Sequence, residues 1–259
     1  MERNLPKILI LDVETFPNTA YVWRFFKENI GAKQVLEYST LASFAYKWLG
    51  DDVTYYEDTQ NQSEAELVKH LLTVLDVADI VVAHNGAKFD LPTIQGRALV
   101  LGLKPPSPYK IVDTLLVARY EFNFPANSLE HLAILLGVEK KGGHAKFPGF
   151  ELWQECMRNN AEAWEEMREY NIQDVVTLEQ IYLLMRPFMR RHPNVAIYEE
   201  TTKPLCPKCG SDHMQSRGYA YTNVYKYRRF QCQSCNGWHR TRFNELKKEN
   251  SHALFSNAG

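Results

Sequence analysis

The stretch KILILDVETFPN, residues 7–18, runs four apolar residues, Ile8 to Leu11, into two carboxylates, Asp12 and Glu14. Strand side chains alternate with period two, so Ile8, Ile10, Asp12 and Glu14 share one face and Leu9, Leu11 and Val13 the other. Both faces begin apolar, as in a central strand covered on both sides. The acids then sit at the strand's carboxyl end and point the same way. Like charges that close raise each other's pKa unless a cation lies between them. Alone, such a pair is a solvated strand end. With further carboxylates from elsewhere in the chain it becomes half of a metal site.

At 259 residues the chain can hold one large domain and a small one. Its 45% apolar and 24% charged residues describe an ordinary globular protein. The opening MERNLPK lacks the apolar core of a signal peptide, and no run approaches membrane-spanning length, so a cytoplasmic location with no membrane partner is expected. The net charge of −1 hides an asymmetry. Residues 201–259 carry ten Lys/Arg against three acids, net +7, which leaves 20 basic and 28 acidic residues in 1–200, net −8. A basic tail on an acidic body suits a polyanionic partner. Four of the five cysteines also lie in that tail, and without an export signal this clustering points to metal rather than disulfides.

Alternation predicts strands at Tyr21–Phe26, Leu41–Trp48 and Val53–Tyr56. Helical spacing covers Glu64–Leu75. Ile80–Ala83 reads as a buried strand ending at HNGAKFDLP, followed by a helix over Leu91–Leu101. Lys110–Val112 is a short strand before a helix that Asp113 or Thr114 could cap. NSLEHLAILLG has an N-cap serine and a terminating Gly137, and a long helix runs from Ala161 to Met185. Strands first, then alternating helix and strand, make an α/β domain with a mixed sheet.

Two later segments carry acids. HNGAKFD places Asp90 just after a buried strand, where by itself it reads as a helix N-cap. YNIQD places Tyr170 and Asp174 four apart, on one helix face. The ordered set D-x-E, N-x-x-x-F-D and Y-x-x-x-D resembles the three exonuclease motifs of the DEDD superfamily of 3′→5′ exonucleases, which have a ribonuclease H-like fold. The likeness covers about residues 5–190 and is nearest to the proofreading domain of family-B DNA polymerases. KIVDTLLVAR and NSLEHLAILLG resemble that family's connecting segments. One branch of the superfamily has His five before the last Asp, where this chain has Glu169. The other has Tyr four before it, as Tyr170 is here. His144 lies at the wrong spacing and reads as a loop residue.

The resemblance implies a site built on Asp12, Glu14, Asp90 and Asp174. Hard cations such as Mg²⁺ or Mn²⁺ take carboxylate oxygens, and two of them about 3.5–4 Å apart can hold the attacking and leaving oxygens of a phosphoryl displacement. Asp12 would bridge both ions, Glu14 and Asp174 would complete the water-activating one, and Asp90 would support the other. Tyr170, with an ordinary pKa of about 10, would orient the attacking water rather than deprotonate it. Without ions, four converging acids repel. Asn85 and Phe89 are implied substrate contacts, against the alternative of turn structure and core packing.

In the tail, Cys206-Pro-Lys-Cys209 and Cys232-Gln-Ser-Cys235 are two knuckles separated by 22 residues, the pattern of a four-thiolate structural Zn²⁺. A hairpin turning near Thr222-Asn223 would bring them together, with His213 and His239 as possible substitute ligands. Tyr225, Tyr227, Arg228 and Arg229 belong to an interleaved aromatic and basic surface suited to base stacking and phosphate contact. The segment resembles zinc ribbons of transposases and transcription-related proteins. Cys156 stands apart as a buried structural thiol.

These readings give a ribonuclease H-like 3′→5′ exonuclease domain over 1–190, a linker over 191–204, a zinc ribbon over 205–243 and a C-terminal tail over 244–259. The expected activity is removal of nucleotides from single-stranded 3′ ends, preferably of DNA, with two Mg²⁺ or Mn²⁺ and one structural Zn²⁺. RNA or short oligonucleotides are the enzymatic alternative. A nucleic-acid-binding adaptor is the non-enzymatic one, and the ribbon could equally dock a protein partner.

Overall fold

The computed structural model describes residues 5–138 and 146–256, so the reading of His144 lies outside the described residues. The described chain forms two compact units, one over Lys7–Tyr182 and one built from the residues before Lys7 together with those from Leu183 onward.

The larger unit begins with β1 (Ile8–Thr15), whose Leu9, Ile10 and Leu11 are wholly buried. Next come β2 (Thr19–Ala20), β3 (Val35–Glu37), β4 (Leu41–Trp48), β5 (Tyr55–Asp58), α1 (Glu64–Asp76), β6 (Ile80–Ala83), α2 (Asp90–Val100) and β7 (Lys110–Asp113). The helices α3 (Thr114–Glu121), α4 (Leu129–Leu136), α5 (Glu151–Met157) and α6 (Ala161–Met185) follow. The main sheet has the order β5-β4-β1-β6-β7. Strands β6 and β7 run parallel to β1, whereas β4 is antiparallel to β1 and to β5. This mixed sheet flanked by helices is the architecture expected of a ribonuclease H-like fold.

The apolar pattern accounts for the layering. Leu9, Leu11 and Val13 pack with Leu67, Leu71 and Leu75 of α1 and with Leu91 and Ile94 of α2. On the other face Ser43 of β4 and Asp12 of β1 meet Asn171 of α6. Helix boundaries follow their caps. The Ser63 hydroxyl accepts from Glu66 N–H, and the Glu66 carboxylate accepts from Ser63 N–H in return. The Ser128 hydroxyl caps α4, and Gly137 ends it at φ 66°, a left-handed conformation that glycine adopts without steric cost.

Two strand expectations need correction. Tyr21–Phe26 is not a strand. Pairing with β3 stops at Ala20, and beyond it the Glu28 carboxylate takes the Trp23 and Arg24 N–H groups that a ladder would use. The strand expected at Val53–Tyr56 is shifted to Tyr55–Asp58, because the register against β4 pairs Tyr46 with Tyr55 and Ser43 with Asp58.

The smaller unit is a three-stranded antiparallel sheet of order β10-β9-β8, from β8 (Met214–Tyr221), β9 (Lys226–Cys232) and β10 (Trp238–Arg240), with a short α7 (Lys248–His252) after it. The β8–β9 hairpin turns over residues 222–225, where Thr222 N–H donates to the Tyr225 carbonyl at 2.9 Å.

Candidate active site and candidate zinc site

Strand β1 delivers Asp12 and Glu14 at its carboxyl end, the edge of parallel strands where α/β sheets place ligands. Directly across on β4 stand Ala45 and Ser43. Ala45 is small enough to leave room beside Asp12. Strand β6 ends in a tight turn through Asn85, which takes the left-handed conformation at φ 68° that Asn tolerates. A Cβ on Gly86 would come within 2.4 Å of the Ala83 Cβ, so the turn can close this sharply only on glycine. The Asp113 carboxylate fixes the turn by accepting from Asn85 N–H (3.1 Å) and Ala87 N–H (3.0 Å), besides capping α3 as expected through Leu115 and Leu116.

The turn presents Asp90 as the first residue of α2. Phe89 holds the N-cap position, and the Asp90 carboxylate instead accepts from the Val13 N–H at 3.2 Å, between the two acids of β1. Helix α6 supplies Asp174, and Tyr170 one turn before it bonds to the Asp174 carboxylate. Glu169, at the position where the other branch has His, is exposed. Asp90 and Asp174 are buried while Asp12 and Glu14 are partly exposed, so the cluster opens to solvent on the β1 side.

Three further side chains hold this arrangement. The Asn171 amide donates to the Asp12 carboxylate at 2.6 Å, and its oxygen accepts from the Ser43 hydroxyl at 3.1 Å. The Trp153 indole bonds to the Glu14 carboxylate, and its ring meets Tyr170 edge-on at 6.2 Å. No local pattern marks Asn171, Ser43 or Trp153 in the sequence. Asn171 lies beside Tyr170, but its pairing with Asp12 spans 159 residues. His84 is occupied on both ring nitrogens, by the Thr114 hydroxyl and the Asn127 carbonyl, each at 2.9 Å, and serves structure. Phe89 is half-exposed at the same end of β6.

The electrostatics are those of a site short of positive charge. Burial, then Glu14, Asp90 and Asp174, push the Asp12 carboxyl well above its ordinary range, and only Asn171 opposes them. Burial, then Asp174 and Asp90, raise Glu14 to about 8, and burial raises Asp90 to about 7. Burial and the nearby carboxylates raise the Tyr170 hydroxyl, so it stays protonated. The fully buried apolar residues of β1, each worth about 1.5–3 kcal/mol, fix the acids in place against this repulsion. The donor set fits hard divalent cations, with Asp12, Glu14, Asp90 and Asp174 as the residues that would hold them. The carboxylates stand wider than a closed one-ion cage. Among the described residues, only the four cysteines bring three or more ligand atoms all within 4.8 Å.

A pH dependence follows for the metal-free protein. Below the ordinary carboxyl pKa, 4.5 for Glu14 and 3.8 for Asp90, folded and unfolded chains are equally protonated. Above it the native state still holds protons that the unfolded chain has released, so each pH step costs stability until the native values near 7 and 8 are passed. Urea midpoints in chelator should therefore fall between pH 5 and pH 8, reporting a loss of stability on the order of a few kcal/mol. Added Mg²⁺ should flatten the fall. A midpoint rising with pH in chelator would contradict the repulsion.

In the smaller unit the Cys206 and Cys235 sulfurs are 3.6 Å apart, as are those of Cys209 and Cys232, and none is in a disulfide. A tetrahedron with Zn–S near 2.3 Å has edges of about 3.8 Å, so the cage has the right size for zinc. A hydrogen bond from Cys206 pulls the Cys209 thiol down to about 5. The two knuckles match each other. Gly210 N–H returns to the Cys206 carbonyl and Asn236 N–H to the Cys232 carbonyl, with Gly210 and Asn236 both left-handed. The His239 ring nitrogen lies 3.3 Å from the Cys206 sulfur, beside the cage, and burial lowers its pKa to about 4. His213 is exposed and 3.9 Å from Asp212. Four basic residues of the sheet lie on its rings: Lys226 and Arg228 over Tyr219, Arg229 over Trp238 and Arg240 over Tyr227, at 3.7–5.0 Å. Arg228 also pairs with Glu245 at 3.2 Å, and Tyr225 is half-exposed.

A family model for the RNase H superfamily matches residues 19–186, beginning after Asp12 and Glu14. No curated protein matches significantly. Among solved structures, the chain is similar to the family B DNA polymerase of the hyperthermophilic archaeon Pyrobaculum calidifontis, at a TM-score of 0.50 and 14% identity. The match covers 71% of this chain and 25% of the polymerase, so the chain spans about a quarter of that protein's length. At that identity the likeness establishes fold and leaves chemistry to be argued from the residues.

Proposed function

The chain belongs to the RNase H superfamily, and from that premise we propose a metal-dependent 3′→5′ exonuclease of the tyrosine branch, acting on single-stranded ends and preferring DNA. One observation carries the reading: four carboxylates from three separate segments converge beside the Tyr170 hydroxyl, with Asp12, Glu14 and Asp90 held at raised proton affinity. A binding scaffold has no physical use for that repulsion, which counts against the adaptor reading. The exposed Glu169 supports the tyrosine branch, and the resemblance of the three motifs to those of proofreading domains is the ground for preferring DNA.

Two Mg²⁺ or Mn²⁺, when bound, would polarise the phosphodiester and supply the nucleophilic water at neutral pH. Asp12, Glu14, Asp90 and Asp174 would hold them, with Asn171 and Trp153 keeping Asp12 and Glu14 in position. The Tyr170 hydroxyl, protonated throughout, donates to or accepts from water but cannot serve as a base. Phe89 and Asn85 would border the terminal nucleotide. In the ribbon a structural Zn²⁺ would hold the sheet, and Tyr225, Tyr227, Arg228 and Arg229 would meet the strand.

The test is a comparison of 5′- and 3′-labelled single strands of DNA and RNA with Mg²⁺ or Mn²⁺. Stepwise shortening of the 5′-labelled strand is expected, faster for DNA. Internal cuts would refute the exonuclease reading. Tyr170→Phe keeps the ring against Trp153 and removes one hydroxyl, so kcat should fall by about 10²-fold with KM nearly unchanged. A rise in KM at constant kcat would make Tyr170 a substrate contact instead.

A further inference from the structure

The segment between Phe16 and Thr40 leaves the main sheet of the larger unit, and its two ends meet where Phe16 N–H donates to the Thr40 carbonyl at 2.9 Å. That point lies two residues beyond Glu14. The excursion is therefore rooted at the mouth of the acidic cluster. Its two short strands, β2 and β3, carry a loop whose apolar side chains turn outward. Trp23, Phe25 and Phe26 are 92%, 94% and 84% exposed, and Tyr21 beside them is also exposed.

This exposure is not that of a loose loop. One Glu28 oxygen accepts from Trp23 N–H (2.9 Å) and Arg24 N–H (2.6 Å), and the other accepts from the Gln34 amide (2.9 Å). Gln34 in turn donates to the Tyr21 carbonyl at 3.1 Å, and Tyr21 N–H to the Gln34 carbonyl at 2.9 Å. These bonds hold Glu28's pKa below the usual carboxylate range, so the loop's one acid is spent on its backbone. The outward groups are three rings, Trp23, Phe25 and Phe26, interspersed with the cations Arg24 and Lys27. Exposed rings on a braced loop lose free energy to water unless a partner covers them. Rings interleaved with cations match a strand whose bases stack and whose phosphates are charged.

We propose that residues 21–27 form a stacking arm that grips the single strand just upstream of its 3′ end. This rests on the exonuclease reading of the adjacent cluster. Stacking tolerates any base, so the arm would give affinity without sequence preference.

The test combines Trp23→Ala/Phe25→Ala/Phe26→Ala with a labelled oligo-dT and the same strand carrying abasic spacers near its 3′ end. Binding is read by anisotropy in chelator, where no hydrolysis occurs, and KM and kcat are read separately with Mg²⁺. The wild-type protein should bind the strand with bases about tenfold to a hundredfold better than the abasic one. The triple variant should lose most of that preference, with its loss in KM and not in kcat. Trp23 fluorescence should also be quenched by oligo-dT, a signal that Trp23→Phe removes. If the triple variant keeps the wild-type preference for bases, the arm does not touch the strand and its rings serve a protein partner. Should the wild type show base-dependent binding yet shorten no strand, the exonuclease reading fails and the arm stands as a binding element.

Discussion

Asp12→Asn is expected to lower hydrolysis by at least ~10³-fold while stabilising the metal-free protein. The amide is close to isosteric and can still accept from Asn171, which now donates to Asp12 at 2.6 Å, so the fold has no reason to change. What disappears is the anion that the ions need. The same substitution removes one of four mutually repelling carboxylates and thereby eases the penalty on Glu14, Asp90 and Asp174. A gain of about 1–2 kcal/mol would raise the melting temperature of a unit this size by roughly 2–8 °C. Added Mg²⁺ should then stabilise the variant less than the wild type. Wild-type rates in the variant would sink the two-ion site. An unchanged melting temperature in chelator would sink the electrostatic argument and leave the catalytic one. The two readouts move in opposite directions because the site gives up stability for the chemistry it supports.

The frame of this protein is legible where chemistry acts over short sequence distances. Strand β4 and helix α6 fall on their expected residues, because alternation, apolar spacing and caps are properties of neighbours. The fold class follows from their order, and the cysteine cage from two knuckle spacings. Contacts that close over the whole chain leave no such trace. Ser43 and Asn171 look like ordinary polar residues until the sheet and α6 place them together, 128 positions apart in sequence. Trp153 resembles any apolar residue of an amphipathic helix, yet its indole bonds Glu14. Tyr21–Phe26 misleads in the opposite way. Its alternation is real, but Glu28 captures the backbone N–H groups and no strand extends the pairing, so the rings face water. Asp113 reads correctly as a cap, while its hold on the Asn85 turn depends on a neighbouring strand.

Removing zinc is expected to unfold the three-stranded sheet of the smaller unit while the larger unit keeps its own melting transition. Among described residues from 201 on, only Cys206, Gly210, Cys232 and Gly237 are buried. All four belong to the knuckles. The sheet therefore has no apolar core to hold it. The rings of Tyr219, Tyr227 and Trp238 cover the cationic side chains rather than one another, and such surface contacts are worth about 0.5–1 kcal/mol each. A domain of this size needs a metal or cross-links to stay folded. Zinc bound by four thiolates supplies on the order of 10–16 kcal/mol, which outweighs everything else the sheet can muster. Cys206→Ser removes one ligand and leaves the His239 nitrogen, now 3.3 Å from that sulfur, without its partner. One zinc per chain should be found in the wild type and much less in the variant. Amides of β8 and β9 should lose exchange protection on chelation, while those of β1 and β6, buried on both faces, keep theirs. The zinc should also survive dialysis that strips Mg²⁺, because thiolates and carboxylates select different metals. Protection of β9 that persisted after zinc was gone would mean the sheet is held by its surface, and the cage would then have some purpose other than folding.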